Sequence, residues 1–344
     1  MRRSIYALVI TAGCLTAGCE QAEYPFGAPD GSSGGGLVDG VDFIQLTSSN
    51  GSSKHLPIIS SDGNTVAFLS SEDLVPGSNT ALVTQVFAVS SSGRNLRQVT
   101  STSAEVTGFD LSPDGDWVVF ADKYSRLWRV STDEGSTATQ IALPVMVTAP
   151  KFTPDGEFVI WTDASGANIY DFESGGISTQ LASVIAKGRA GGSRNADDIV
   201  YTSRSDGKVY IVSGTSSPER LSQDSTSGTN PSISSDGRRI AYDGSAGVHV
   251  VGNNGNSLQT FTGYLDPYSG ICESGDYVVF TAEHQVVLGE VSSGKLTQIT
   301  SNTSGGYRSH EPSLSRYGSR VAFVSEADFT GGNSDHSYEV FVTR

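Results

Sequence analysis

The sequence predicts an all-β protein, a seven-bladed β-propeller closed by its N-terminal strand. Three observations predict this fold. An aromatic residue follows a Ser-x-Asp-Gly type turn by five positions in seven places, the turns recur about every 40 residues, and the last repeat ends after three strands. The aromatic residues are Phe68, Phe120, Trp161, Tyr201, Tyr242, Phe280 and Phe323.

Each repeat has the pattern of four antiparallel strands. A short strand precedes the turn, as before Ser61-Asp62-Gly63, and a hydrophobic strand follows it, because Asp and Gly tolerate the positive φ of such turns. A third strand follows 7 to 9 positions after the aromatic residue in four repeats, which makes Tyr170 the expected partner of Trp161. The fourth strand has a Gln-aliphatic-small signature, as in Gln98–Thr100. The segment Arg194–Asp197 departs from the pattern and predicts a modified turn in the fourth repeat.

The missing fourth strand of the last repeat is expected from the other end of the domain. The sequence stops at Arg344, directly after a third strand, and Gln45–Thr47 carries the fourth-strand signature. An unclosed ring would leave an unpaired sheet edge. We therefore expect the segment from about Asp42 to complete blade seven.

The N-terminal residues predict an address in the cell envelope. Residues 1–18 are a predicted signal peptide, with basic Arg2-Arg3 and an apolar run from Ile5 that is too short to span a bilayer. Leu15–Cys19 resembles a bacterial lipoprotein signal, which predicts lipidation of Cys19; cleavage before Cys14 and an ordinary secretory signal remain alternatives.

Between this signal and the predicted propeller lies a segment rich in Gly, Ser and Pro. Residues 19–41 are predicted to form a flexible tether of roughly 25 Å, followed by the propeller domain at residues 42–344. Glu20 is not the Asp that favours inner-membrane retention, so in a Gram-negative source we expect the periplasmic face of the outer membrane.

The charge of the chain excludes one class of partner. The sequence has 37 acidic and 22 basic residues, a net charge of −15. Such a surface repels phosphate backbones, so nucleic acid is not an expected partner. We expect a monomeric propeller that meets the membrane only through its lipid anchor.

The repeats resemble those of the TolB-like β-propeller family. Phe152–Gly156 followed by Val159-Ile160-Trp161 is a good copy of the family repeat, and the resemblance covers residues 42 to 344. It implies the fold. TolB itself has six blades and an additional N-terminal α/β domain, for which the tether has no room, so its partnership with a peptidoglycan-associated lipoprotein is not carried over.

Two repeats differ from the others in the loop between their second and third strands. Phe68 and Phe87 are 19 positions apart, and Phe323 and Phe341 are 18 apart. Ring closure makes blades one and seven neighbours, so these loops should lie side by side on one face. The first strands of the same two blades should begin on that face as well. The residues that form this candidate binding surface are His55, Glu72, Asp73, His310, Glu311, Asp328, Asp335 and His336.

Three functions are compatible with these features, because the propeller fold by itself does not specify function. The favoured one is a non-catalytic module that binds a protein or an envelope component such as polysaccharide or peptidoglycan. The second is an oligosaccharide-acting lyase or hydrolase that uses His55, His310 and a divalent metal, for which imidazole and carboxylate are suitable ligands. The third is a purely structural lipoprotein. No cofactor or catalytic residue is otherwise predicted, because the apparent nucleophile and phosphate-loop motifs at Gly31–Gly35 and Gly289–Lys295 lack the required context.

Overall fold

The computed structural model describes residues 41–51, 53–142, 150–163, 166–181, 190–222, 228–262, 265–301 and 306–344. The predicted signal peptide, Cys19 and the tether up to residue 40 lie outside the described residues. Within these ranges the strands form seven antiparallel sheets of four strands each. The predicted seven-bladed propeller is confirmed.

The first strand of each blade is innermost, since these strands contact one another around the ring. They are β2 (His55–Ile59), β6 (Val106–Leu111), β10 (Lys151–Phe152), β14 (Gly191–Gly192), β18 (Thr229–Ile233), β22 (Leu265–Ile271) and β26 (Ser309–Leu314). The second strands are β3 (Thr65–Ser70), β7 (Trp117–Asp122), β11 (Phe158–Asp163), β15 (Asp198–Thr202), β19 (Arg239–Gly244), β23 (Tyr277–Ala282) and β27 (Val321–Ser325).

The third and fourth strands complete each blade on the outside. The third strands are β4 (Gln85–Ser90), β8 (Leu127–Ser131), β12 (Gly166–Asp171), β16 (Val209–Ser213), β20 (Gly247–Gly252), β24 (Gln285–Glu290) and β28 (Glu339–Thr343). The outermost strands are β5 (Arg97–Gln98), β9 (Thr139–Ala142), β13 (Ile177–Leu181), β17 (Glu219–Arg220), β21 (Ser257–Thr262), β25 (Leu296–Gln298) and, in blade seven, β1 (Phe43–Gln45).

The ring closes between the two ends of the described chain, as predicted. β1 pairs antiparallel with β28, with Phe43 opposite Thr343 and Gln45 opposite Phe341. The N–H of Leu46 continues the ladder by donating to the carbonyl of Val340 at 2.8 Å. Blade seven therefore combines one strand from the start of the domain with three strands from its end.

The repeated turn sequence forms a small hydrogen-bonded unit between first and second strands. In blade one the Ser60 hydroxyl donates to Asp62 Oδ1 at 2.6 Å and accepts the N–H of Thr65 at 3.0 Å. Gly63 follows at φ 75°, a conformation that a Cβ disfavours. In blade four the turn is a 3₁₀ segment, Arg194–Ala196, with Asn195 at φ 60° and Ala196 at φ 54°. The predicted modified turn is confirmed.

Apolar side chains pack mainly between adjacent blades. Phe68 and Phe87 are fully buried and stack at 6.0 Å, against Val324 and Val340 of blade seven. Burial of each side chain of this size stabilises the fold by about 1.5–3 kcal/mol. The predicted pairing of Trp161 with Tyr170 is wrong: the register places Asn168 opposite Trp161 and Tyr170 opposite Val159.

The alternation of strand direction gives the propeller two different faces. The loop face carries the loops between second and third strands and the links from one blade to the next. The hairpin face carries the turns between first and second strands and between third and fourth strands. Both long loops and the starts of β2 and β26 therefore lie on the loop face.

Candidate functional site

The long loop of blade one is shaped by its own polar side chains. The Asp73 carboxylate accepts the backbone N–H groups of Asn79 and Gly77 at 2.8 and 2.7 Å, and these bonds hold the pKa of Asp73 below its ordinary value. The buried Asn79 side chain donates to the carbonyls of Glu72 and Val83 at 3.2 and 2.9 Å. The loop is held together by its own hydrogen bonds, and both oxygens of the Asp73 carboxylate accept backbone N–H groups within it.

The long loop of blade seven follows the same design. Asp328 Oδ1 accepts the N–H of Asn333 at 3.0 Å, and the buried Asn333 amide donates to the carbonyls of Glu326 and Ser337 at 3.3 and 2.9 Å. The exposed Asp335 accepts from the Ser337 hydroxyl at 3.1 Å. The sequence prediction included Asp328 and Asp335 as ligand-binding carboxylates, and the structure shows that both also support the loop.

A buried ionic network, here called the seam network, joins the two loops through the link between β1 and β2. Lys54 is 1% exposed, and its Nζ lies 3.1 Å from Glu72 Oε1 and 3.4 Å from Glu339 Oε1. The same Nζ donates to Ser49 Oγ and the Gly51 carbonyl, both at 2.6 Å. The two loops are thereby fixed side by side on the loop face.

Glu72 and Glu339 are held in the seam network by further hydrogen bonds. Glu339 is fully buried and accepts the N–H of Ser49 at 2.8 Å and the Thr47 hydroxyl. Burial raises the pKa of Glu72, but hydrogen bonds from Ser49 and Ser53 and the charge of Lys54 outweigh burial and leave that pKa below its ordinary value. The hydrogen bonds and ion pairs of Glu72 and Glu339 therefore connect the segments that meet where the ring closes.

Lys54 and Glu339 are not among the residues predicted from the sequence, although one signal in the repeats pointed to them. Gln85 and Gln285 begin the third strands of blades one and six, where each accepts a hydrogen bond from the Thr two residues after the fourth strand, at 2.7 and 3.0 Å. Glu339 occupies the same place in blade seven and accepts from Thr47. A carboxylate in place of an amide at a repeated position calls for a buried cation, and Lys54 is that cation.

The inner strands bring His310 and Glu311 to the seam near the channel. Glu311 Oε2 accepts the N–H of Leu56 across the seam at 2.5 Å, and its Oε1 lies 3.9 Å from His310 Nδ1. Leu56 and Glu311 both have positive φ, 52° and 55°, at β-bulges in β2 and β26. His55 begins β2 opposite Leu69 and is half-buried.

Two ring pairs, each made of one tyrosine and one histidine, form a surface on the loop face of blade seven, here called the aromatic platform. The His336 ring stacks on Tyr307 at 4.0 Å, and the His310 ring meets Tyr338 edge-on at 5.0 Å. All four side chains are half-buried. Glu326 lies between the pairs: its carbonyl is 3.1 Å from His336 Nδ1, and burial, together with the Glu326 carboxylate, raises the pKa of Tyr338.

The described residues of the loop face are not arranged as the ligands of a metal ion. No group of three His, Cys, Asp or Glu side chains in this part of the chain converges as metal ligands. Nor does any helix in the described ranges have the length and apolar character needed to cross a bilayer. The contacts that the aromatic platform presents are ring stacking, edge-on ring packing and hydrogen bonding.

Comparison with known proteins agrees with this architecture. Among solved structures, the chain is similar to TolB from Acinetobacter baumannii, with a TM-score of 0.50, 17% sequence identity and coverage of 74% of this chain and 67% of that chain. The fold is that of a TolB-like β-propeller. At this level of identity the likeness establishes the fold alone.

The sequence comparisons are more limited. No family model matches the chain. A segment of 78 residues is 35% identical to U3 small nucleolar RNA-associated protein 21 of Saccharomyces cerevisiae, which corresponds to 22% of this chain and 8% of the yeast protein. The chain thus matches only a small part of that protein's length.

Proposed function

We propose that this protein is a lipid-anchored β-propeller of the bacterial cell envelope that binds a protein or another envelope component without catalysis. The contact surface in this proposal is the loop face of blades one and seven. The observation that carries it is the aromatic platform, in which Tyr307, His310, His336 and Tyr338 are half-exposed on a cross-linked support.

The support of the platform favours binding because it is already ordered. Asn333 and the seam network hold the loops through buried hydrogen bonds and ion pairs, so little conformational entropy is lost when a partner docks. Planar Tyr and His side chains offer a large contact area with a polar edge, which suits both protein hot spots and the apolar faces of sugars.

The loop face carries further apolar contact area beside blade one. Leu82, near the end of the long loop, is 63% exposed with φ 52°, and Tyr124 of blade two is 64% exposed. Glu105 connects the two loops that carry them: its carbonyl accepts the N–H of Lys123, and its carboxylate lies 3.4 Å from Thr84 Oγ1. An exposed Leu with a left-handed backbone has both unfavourable hydration and strain, which is consistent with a role in contact.

The envelope location in this proposal rests on the sequence. Arg2-Arg3, the short apolar run and Leu15–Cys19 together support a lipoprotein signal, with Cys19 as the lipidated residue. Glu20 supports the periplasmic face of the outer membrane if the source is Gram-negative. Metabolic labelling with a fatty-acid analogue tests this point: label should enter the wild-type protein and be lost in Cys19→Ser.

The binding proposal is tested by crosslinking in cells that express the full chain. Tyr307→Ser removes one half of a platform pair, and Tyr317→Ser is the matched control, because Tyr317 is 66% exposed on the hairpin face. We expect a specific crosslinked partner with the wild type and the control and its loss with Tyr307→Ser. An unchanged set of crosslinked species in all three proteins would refute the loop face as the binding surface.

A further inference from the structure

The hairpin-face end of the central channel is narrowed by the turns between first and second strands. The backbone N–H of Ser61 donates to the Pro113 carbonyl at 2.8 Å, that of Ser235 to Glu273 at 2.8 Å, and that of Arg316 to Ser61 at 3.0 Å. These bonds join turns of adjacent blades directly. The side chains that project from the turns therefore meet at a narrow mouth.

Glu273 of blade six reaches across this mouth. One carboxylate oxygen, Oε1, accepts the hydroxyl of Ser61 in blade one, while Arg316 of blade seven places its Nε 3.1 Å from Oε2. Blade seven separates blades six and one, so the Glu273 side chain extends past a whole blade. Its carboxylate occupies the mouth.

Cationic side chains from three blades act electrostatically on the carboxylate of Glu273. Besides Arg316, the charges of Lys151 in blade three and of exposed Arg194 in blade four act on it. Lys151 Nζ also lies 3.1 Å from Asp110 Oδ1. Within the described ranges, Arg316, Lys151 and Arg194 thus all favour a negative charge on Glu273, in a chain whose net charge is −15.

The carboxylate of Glu273 does not have all the hydrogen bonds that it can accept. The Arg316 contact is close but not aligned as a hydrogen bond, and among the described residues Oε2 is a buried acceptor that takes no hydrogen bond. Burial raises the pKa of Glu273 even though Ser61, Arg316, Lys151 and Arg194 all act to lower that pKa. Oε2 therefore has an ion-pair contact with Arg316 but lacks an aligned hydrogen bond, and a buried acceptor without a donor is unfavourable.

We propose that this mouth is a binding site for the carboxylate group of a ligand, and that Glu273 occupies it as an internal competitor. The site already accommodates a carboxylate beside Ser61 and Arg316, and guanidinium and ammonium groups are the donors that favour such anions. A ligand carboxylate that gains aligned bonds to Arg316 and Arg194 displaces Glu273 toward solvent. The site is separate from the loop face and does not depend on the function proposed for that face.

A lower pH should favour binding of the ligand carboxylate over occupation of the site by the Glu273 carboxylate. As the pH falls through the raised pKa of Glu273, its carboxyl becomes neutral, while Arg316, Lys151 and Arg194 keep their charge. The ligand must itself keep an ionised carboxylate, and a small dicarboxylic acid keeps at least one in weak acid. Binding therefore tightens as the pH is lowered from 7.5 toward the raised pKa of Glu273.

The test is isothermal titration calorimetry of the purified full chain with succinate. Glu273→Gln keeps the size and the Ser61 bond but removes the competing charge, so it should bind succinate at least tenfold more tightly at pH 7.5 and lose most of the pH dependence. Arg316→Gln should weaken binding at least tenfold. Glu157→Gln, on the exposed hairpin face of blade three, is the control and should match the wild type.

Each outcome decides the proposal. Tighter binding by Glu273→Gln together with weaker binding by Arg316→Gln supports it. Equal affinity in wild type and Glu273→Gln, or unchanged affinity in Arg316→Gln with a native circular dichroism spectrum, overturns it. Inorganic phosphate is titrated in parallel, and binding of phosphate without succinate refutes the carboxylate assignment.

Discussion

Replacing Lys54 with methionine should destabilise the propeller by about 3–5 kcal/mol. Lys54 Nζ is fully buried between Glu72 and the fully buried Glu339, at 3.1 and 3.4 Å. Removal of one partner from a buried ion pair typically costs about 3–5 kcal/mol, because the remaining charge is left without compensation. Methionine has a similar volume, so the effect reports the lost charge rather than a cavity.

A second substitution separates charge from packing. Glu339→Gln restores the amide that Gln85 and Gln285 provide at the same position in other blades, and an amide oxygen still accepts from Thr47. In the Lys54→Met background this change should recover about 1–3 kcal/mol, since it removes one uncompensated buried charge. The double variant should therefore be more stable than Lys54→Met alone.

The assay is urea denaturation at pH 7, followed by tryptophan fluorescence and circular dichroism. Arg238→Met is the control, because Arg238 and Asp236 form an exposed pair at 3.9 Å, whose loss should change stability by less than about 0.5 kcal/mol. A free energy of unfolding for Lys54→Met within about 1 kcal/mol of the wild-type value, or a double variant less stable than the single one, would refute the role of charge pairing in the seam network.

Three further predictions follow from the same contacts. The free energy of unfolding should decrease as the pH falls through the depressed folded-state pKa of Glu72, because the stabilisation from a depressed pKa is fully present only above the unfolded-state pKa. Urea denaturation measures this free energy at pH 7 and pH 3.5. The loss of stability between the two pH values should be smaller in Glu72→Gln than in the wild type. Asn333→Ala should cost about 1–3 kcal/mol and increase amide exchange in its loop, whereas Ser334→Ala, at the exposed neighbouring position, is the control and should change neither. Gly63→Ala should cost about 1–2 kcal/mol in thermal unfolding, since Gly63 has φ 75° and its Cβ would lie 3.0 Å from Arg320 Cδ.

The fold was predictable because its determinants are local and repeated. A turn such as Ser60–Gly63 is specified by hydrogen bonds between residues two to five positions apart, so the sequence alone reveals it in the repeats that keep the signature. The closing strand was predictable for the same reason, since β1 carries the signature of a fourth strand. Where a turn departed from the signature, at Arg194–Ala196, the structure departs as well.

The site was only partly predictable, because its decisive contacts are long-range. Lys54 and Glu339 are 285 positions apart, and no local pattern connects them. The carboxylates of Asp73 and Asp328 looked like ligand groups, but they accept backbone N–H groups only a few residues away and shape the loops instead. The Trp161 register was missed because spacing alone does not reveal which side chain of a short hairpin lies opposite.

The way in which the ring closes also orients the molecule. Antiparallel pairing with β28 makes β1 run from the hairpin face to the loop face, and the N–H of Arg344 donates to the Asp42 carbonyl at 2.9 Å, so both described ends of the chain lie at the hairpin face. Any attachment upstream of Val41 pulls from that side. If Cys19 is anchored as proposed, the hairpin face turns toward the bilayer, and the aromatic platform points away from it toward partners in the surrounding compartment.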